Sequence, residues 1–149
     1  MINPIDLSYI AGIIDGEGTI GLHRNHFGPK ERYRTPSYML RIRVKMTDEL
    51  IVRWLHSICG GRFYYSKKQI GNCKSVFEWS IVGKAANKLL LELLPYLKLK
   101  KPQAEIGIEF AKTINKTTGF QGILLPEVVK IREDLRTRIV KLNHRGVLN

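Results

Sequence analysis

The sequence predicts an α+β fold in the order αββαββα: a four-stranded antiparallel sheet, helices packed on one of its faces, and extra helices at the C-terminus. Three observations lead there. Apolar spacing changes twice from the helical period to a period of two, and each period-two stretch is broken midway by turn residues. The two hairpins so marked fall in equivalent positions, each after a helix, and one sheet with helices on one side is the simplest packing of such elements. The 149 residues are 44% hydrophobic and contain no Gly/Ser linker or low-complexity run, so residues 1–149 form one domain with a core of its own.

Taken in order, Asp6-Leu7-Ser8 opens a helix that runs through an apolar stretch to Asp15, with Asp6 or Ser8 as its cap. After Gly18 the pattern alternates through Thr19-Ile20-Gly21-Leu22-His23, and Gly28-Pro29-Lys30 marks a turn region. Alternation returns from Ser37 to Lys45. Asp48 reads as a helix cap before Leu50, Ile51, Trp54, Leu55 and Ile58 at helical spacing, and Gly60-Gly61 ends that helix. The second hairpin runs from Arg62 to Lys68, turns at Gly71-Asn72, and returns from Ser75 to Val82 with Phe77, Trp79 and Ile81 on one face. A helix over Ala85–Leu94 stops near Pro95, and Pro102 suits the first turn of a helix reaching Thr113. The core spans about 5–112; beyond it a polar loop, Asn115 to Gly122, leads to a last helix from about Pro126 to Leu142.

The charge balance is lopsided, with 25 Lys+Arg against 13 Asp+Glu, a net charge of +12. Such an excess favours a polyanionic partner, either nucleic acid or an anionic membrane surface. No run of 18 apolar residues is present, so no bilayer-spanning segment is expected, and the N-terminus lacks the basic-then-apolar layout of a signal peptide. Cys59 and Cys73 form no CxxC pair and read as reduced thiols of an intracellular protein, in cytoplasm, nucleoid or organelle matrix; the four histidines show no zinc spacing.

Where the charges fall separates the two partners. In a strand alternate side chains share a face. The second strand therefore divides apolar Leu40, Ile42 and Val44 from basic Arg41, Arg43 and Lys45. A bare sheet face can be polar simply because it is solvated. Three like charges in a row, however, repel unless an anion is near. Charges on a strand rather than an amphipathic helix disfavour a membrane surface and favour double-stranded DNA, whose major groove admits a two-stranded ribbon. By alternation the candidate DNA-binding residues are Thr19, His23 and Asn25 on the first strand, Arg41, Arg43 and Lys45 on the second, Arg62, Tyr64, Ser66 and Lys68 on the third, and Glu78 and Ser80 on the fourth. A single bulge would flip the assignment of a strand.

The sharpest motif is Ile10-Ala11-Gly12-Ile13-Ile14-Asp15-Gly16-Glu17-Gly18: small residues that admit a second helix, then two carboxylates, with Gly16 and Gly18 breaking the helix for a tight exit. Read by itself it is also what a buried helix ending in an acidic turn looks like. The string resembles the signature of the LAGLIDADG homing endonucleases, with Ile at Ile10 and Ile13 for Leu, Gly16 for Ala and Glu17 for Asp. Further along, Pro95-Tyr96-Leu97-Lys98-Leu99-Lys100-Lys101-Pro102-Gln103-Ala104 resembles the P-x-L-K-x-K segment of the same family; without that match the lysines read as a solvated basic run. The resemblance covers roughly residues 5 to 112 and includes the αββαββα order.

The resemblance implies a site-specific double-strand DNA endonuclease. It implies that Glu17 is the catalytic, metal-ligating acid, that the Gly16 carbonyl adds a ligand, and that Lys100 is the basic residue near the scissile phosphate. The metal would be Mg²⁺, with Mn²⁺ or Ca²⁺ able to take the same site, since carboxylates are natural hard-oxygen ligands. Asp15 reads as structural. One motif supplies one acid, so a second copy must come from another subunit, giving a C2 homodimer with Ala11, Gly12, Ile14 and Asp15 at its interface. Strands of ~10 residues span about 33 Å, roughly 10 base pairs, so a dimer would cover about 20 base pairs. Family members carry a polar group near the end of the second strand; here the candidates are Thr47 and Asp48, and Asp48 is equally a helix cap. In the C-terminal third, Lys116 and Arg132 are candidates for phosphate contact or plain surface residues. Alternative activities on such a fold are an RNA-binding intron maturase, which can lose the acid that Glu17 here retains, and a non-catalytic DNA-binding regulator.

Overall fold

The computed structural model describes residues 2–25, 36–66, 75–114 and 124–144. Helix α1 (Pro4–Glu17) opens on a proline, whose missing N–H costs nothing in a first turn. Its cap is Asn3, one turn earlier than expected: the side chain accepts from the Asp6 amide at 2.9 Å. Ser8 instead donates to the Pro4 carbonyl at 2.9 Å. Leu7, Ile10, Ala11 and Ile14 form its buried stripe. The helix does not break at Gly16 but runs on to Glu17. The exit at Gly18 is tight, since a Cβ there would lie 2.7 Å from the Ile14 backbone.

Strands β1 (Gly18–Asn25) and β2 (Ser37–Met46) form the first hairpin, followed by α2 (Glu49–Cys59). Strands β3 (Arg62–Ser66) and β4 (Val76–Val82) form the second, followed by α3 (Gly83–Leu93). Helix α3 starts two residues before the expected Ala85 because Gly83, at φ 63°, makes the sharp turn out of the strand. Helices α4 (Lys101–Lys112) and α5 (Pro126–Asn143) complete the chain. The turns expected at Gly28-Pro29-Lys30 and Gly71-Asn72, the loop Asn115 to Gly122, and Lys68, Cys73 and Lys116 lie outside the described residues.

The sheet is antiparallel throughout, in the order β1-β2-β4-β3. One face carries Ile20, Leu22, Leu40, Ile42, Val44, Trp79 and Ile81, all buried. Against it pack the apolar stripes of α1, Val52 and Leu55 of α2, Leu89, Leu90 and Leu93 of α3, Ala104, Ile106 and Phe110 of α4, and Leu135 and Ile139 of α5. Each such side chain withdrawn from water contributes on the order of 1.5–3 kcal/mol. Polar ties also hold α5 in place. The Tyr38 hydroxyl donates to Glu133 at 2.5 Å, and burial together with that carboxylate pushes the phenol up to about 12. Arg132 is buried, donating at 3.0 Å to both the hydroxyl and the carbonyl of Thr113 at the end of α4. Arg132 is therefore a cap for α4 and not a phosphate contact. No helix among the described residues is long and apolar enough to cross a membrane.

Candidate active site and nucleic-acid interface

The end of α1 and the segment 97–100 before α4 are laced together across 85 residues of sequence. The Asp15 carboxylate accepts from the backbone amides of Lys98 and Lys100, both at 2.8 Å. Burial acts to raise this carboxyl, but the amide hydrogen bonds and the Lys100 charge outweigh it, and the net shift is downward from the ordinary value. In return the Lys100 ammonium donates to the carbonyls of Ile14 at 2.8 Å and Asp15 at 2.5 Å. A cation is thus seated at the negative end of the helix dipole. Asp15 is structural, as its place in the motif suggested. Lys100, only 6% exposed, turns inward along the helix end rather than standing out in a solvated basic run.

Beside this lacing lies a cleft of about 470 Å³ lined by Gly16, Glu17, Gly18, Thr19, Leu99, Lys100, Pro102, Gln103, Leu142 and Asn143. Glu17 is exposed at its edge and makes no hydrogen bond or ion pair among the described residues. Gln103 is 7% exposed; its Nε2 donates to the Leu142 carbonyl at 3.4 Å, while its Oε1 is buried without a partner. Asn143 donates to the Ile20 carbonyl at 2.9 Å, fixing the tail of α5 against β1. Gln103 and Asn143 were missed in the sequence. The only available signal was that Gln103 sits three residues past Lys100. The exposed Glu17 carboxylate is a hard oxygen donor of the kind that a partly hydrated divalent cation takes. Among the described residues no three His, Cys, Asp or Glu side chains gather to hold a metal.

Two expectations need correcting. Ala11 and Ile14, assigned to a subunit interface, are 1% and 0% exposed inside this subunit's own core. They belong with Leu7 and Ile10 to the i, i+3, i+4, i+7 stripe that faces the sheet. The open face of α1 carries Ile5, Tyr9, Gly12 and Gly16 instead, with Ile5 82% and Tyr9 51% exposed. A Cβ at Gly12 or Gly16 would meet nothing within 4 Å. Asp48 is the second: it accepts from the Ile51 amide at 3.0 Å as the cap of α2 and does not line the cleft, nor does Thr47.

Among the described residues no helix packs on the sheet's second face. Register places Thr19 opposite Arg43, Arg43 opposite Ser80, and Ser80 opposite Arg62 in one row across four strands. Lys45, Glu78 and Tyr64 form the next row, and His23 pairs with Met39. Nine of the twelve residues assigned to this face by alternation therefore share it; the side chains of Asn25 and Ser66, and the whole of Lys68, lie outside the described residues. Two of the three basic residues of β2 have an anion beside them within the subunit. Glu78 pairs with Arg41 at 2.6 Å and with Lys45 at 3.3 Å.

No protein-family model and no curated protein matches the chain. Solved structures do. The homing endonuclease I-CvuI in complex with the I-CreI target, in the presence of 2 mM Mg, is similar with a TM-score of 0.73 over 97% of this chain and 85% of that one, at 22% identity. The chain has the LAGLIDADG homing-endonuclease fold. The archaeal intron-encoded homing endonuclease I-Vdi141I, complexed with DNA, is similar with a TM-score of 0.72 at 15% identity, over 95% of this chain and 86% of that one. I-SmaMI, a meganuclease bound to uncleavable DNA, matches 97% of this chain with 46% of its own, at a TM-score of 0.68 and 14% identity. On this fold the motif Ile10–Gly18 forms the end of α1 and its exit into β1, and the segment Pro95–Ala104 leads into α4 beside it.

Proposed function

We propose that the chain is a site-specific double-strand DNA endonuclease that requires a divalent metal and acts as a C2 homodimer. The observation that carries this reading is the cleft at the foot of α1. It holds Glu17 and Lys100 together, and it lies beside a helix face whose glycines leave room for another backbone. One subunit supplies one free carboxylate to it. A second α1 laid across Ile5, Tyr9, Gly12 and Gly16 would bring a second Glu17 alongside. The neighbouring structures solved on DNA, three of them with Mg or Ca present, support the choice of substrate and cofactor.

Glu17, with the Gly16 carbonyl next to it, is the residue that would hold Mg²⁺. Bound there, the ion lowers the pKa of a water and offsets charge on the phosphate. Lys100 fixes the end of α1, and so the position of Glu17, and contributes positive charge to the cleft wall. The sheet face without helices grips the duplex, with Arg43, Arg62 and Thr19 in one transverse row around buried Ser80. About 20 base pairs per dimer are covered if each sheet spans ~33 Å. The test is incubation with a randomised duplex library in Mg²⁺ and in EDTA, with sequencing of cut ends. A single family of long, two-fold-related sites cut only with metal is expected; random or absent cutting would remove the assignment.

A further inference from the structure

Glu78 is the one acidic side chain among the described residues of the bare sheet face. It stands directly opposite Lys45 in the ladder. One carboxylate oxygen lies 2.6 Å from Arg41 Nη2 and the other 3.3 Å from Lys45 Nζ. Its side chain is 14% exposed, against 29% for Arg41 and 54% for Lys45. The Arg41 Nε–H is buried with no acceptor, so Glu78 is what orients that guanidinium. Arg41 stands between two hollows of the face, one lined with His23 and Thr19, the other with Arg62 and Tyr64. Arg43, between Arg41 and Lys45 on the same strand, has no ion pair with a described residue.

We infer that Glu78 is a specificity-determining residue: it pins Arg41 and Lys45 into one fixed donor set and holds back their non-specific grip on phosphate. This rests on the reading of the sheet as a DNA-binding face. A guanidinium held in one rotamer can present a directed pair of N–H groups to a guanine edge, whereas a loose one takes any phosphate within reach. A carboxylate also repels the backbone charge that all sequences share. It thereby lowers the sequence-independent part of binding more than the sequence-dependent part. An acid on a DNA-reading face weakens total affinity, and its use is discrimination.

The experiment compares the full-length wild type with Glu78→Gln, Arg41→Gln and the double variant. Each is titrated with the duplex selected by the wild type and with an unrelated duplex across a salt series. Circular dichroism confirms that each variant is folded. Glu78→Gln is expected to bind the unrelated duplex roughly 3- to 10-fold more tightly, with a salt slope steeper by about 1 or 2 per subunit as two cations are released to phosphates. Its preference for the selected site should fall at least about 10-fold, and the change should be confined to one symmetric pair of positions. In the Arg41→Gln background the same substitution should cost little further preference, because the residue it positions is gone. A merely structural role would weaken both duplexes together. Unchanged discrimination in Glu78→Gln, or full additivity with Arg41→Gln, overturns the inference. A wild type that does not discriminate between duplexes overturns the DNA-reading assignment itself.

Discussion

The assembly is most sharply probed by a bulky residue at Gly12. Position 12 is helical, and a Cβ there meets nothing within 4 Å in the subunit. Within one subunit Gly12→Leu should be harmless or slightly helpful, because leucine exceeds glycine in helix propensity by about 0.8 kcal/mol. Across a two-fold axis two leucines would enter one crossing point. Overpacking costs ~1–3 kcal/mol each, so about 2–6 kcal/mol per dimer. At 1.4 kcal/mol per tenfold, dimerisation should weaken roughly 30- to 20,000-fold. Ala11→Leu, one residue along, is the contrast: Ala11 is 1% exposed in the core, so that change should attack folding rather than association. Sedimentation equilibrium over a concentration series reads the assembly, and thermal melting of the dissociated subunit reads the fold. A Gly12→Leu protein that dimerises like the wild type refutes the reasoning. So does a wild type that is monomeric both free and on its cleaved DNA.

Further outcomes follow from the polar ties. Asp15→Asn should destabilise the protein by about 1–3 kcal/mol at neutral pH, since two amides lose a charged acceptor. The Asp15 pKa is lowered on folding, so its contribution is present above the ordinary carboxylate range and disappears as pH falls through the folded value; urea melts from pH 7 down to pH 3 should converge for wild type and variant. Arg132→Ala should cost about 1–3 kcal/mol, by orphaning the buried Thr113 carbonyl, while leaving the salt dependence of DNA binding unchanged in gel shifts. The wild-type complex itself should show a slope near −5 in log K against log[salt] if about six phosphates are contacted, and Arg43→Gln should reduce it. Cys59, whose thiol burial pushes up to about 12, should resist thiol reagents at pH 7 in the folded protein and react once urea is added.

The fold was legible because its signals are local. The change from helical to alternating spacing after Gly18, and again after Gly61, marks both hairpins. Register on all four strands kept the phase that alternation predicts, with no bulge to flip a face in the described residues. The acidic end of α1 and the lysine segment were legible as motifs. Their mutual lacing was not, because a hydrogen bond between residues 85 apart leaves no trace in spacing. Lys100 was singled out only through the family resemblance: in a run of three lysines nothing in the spacing marks the one that turns inward. The Arg41–Glu78 pair depends on β2 lying beside β4, a topological fact that a linear reading does not hold. The error at Ala11 and Ile14 was avoidable. Leu7, Ile10, Ala11 and Ile14 already spell one helical stripe, and Gly12 falls off it.

The central claim is that Glu17 supplies the metal-binding carboxylate of a DNA-cutting site, and Glu17→Gln tests it most directly. The side chain is exposed, so the isosteric change should leave the fold intact, and it removes the charge that would hold the metal. Mg²⁺-dependent cutting and gel-shift affinity are measured in parallel on the duplex that the wild type selects. Loss of cutting with site-specific binding retained is the predicted result. Double-strand cutting by Glu17→Gln at the wild-type rate would contradict it.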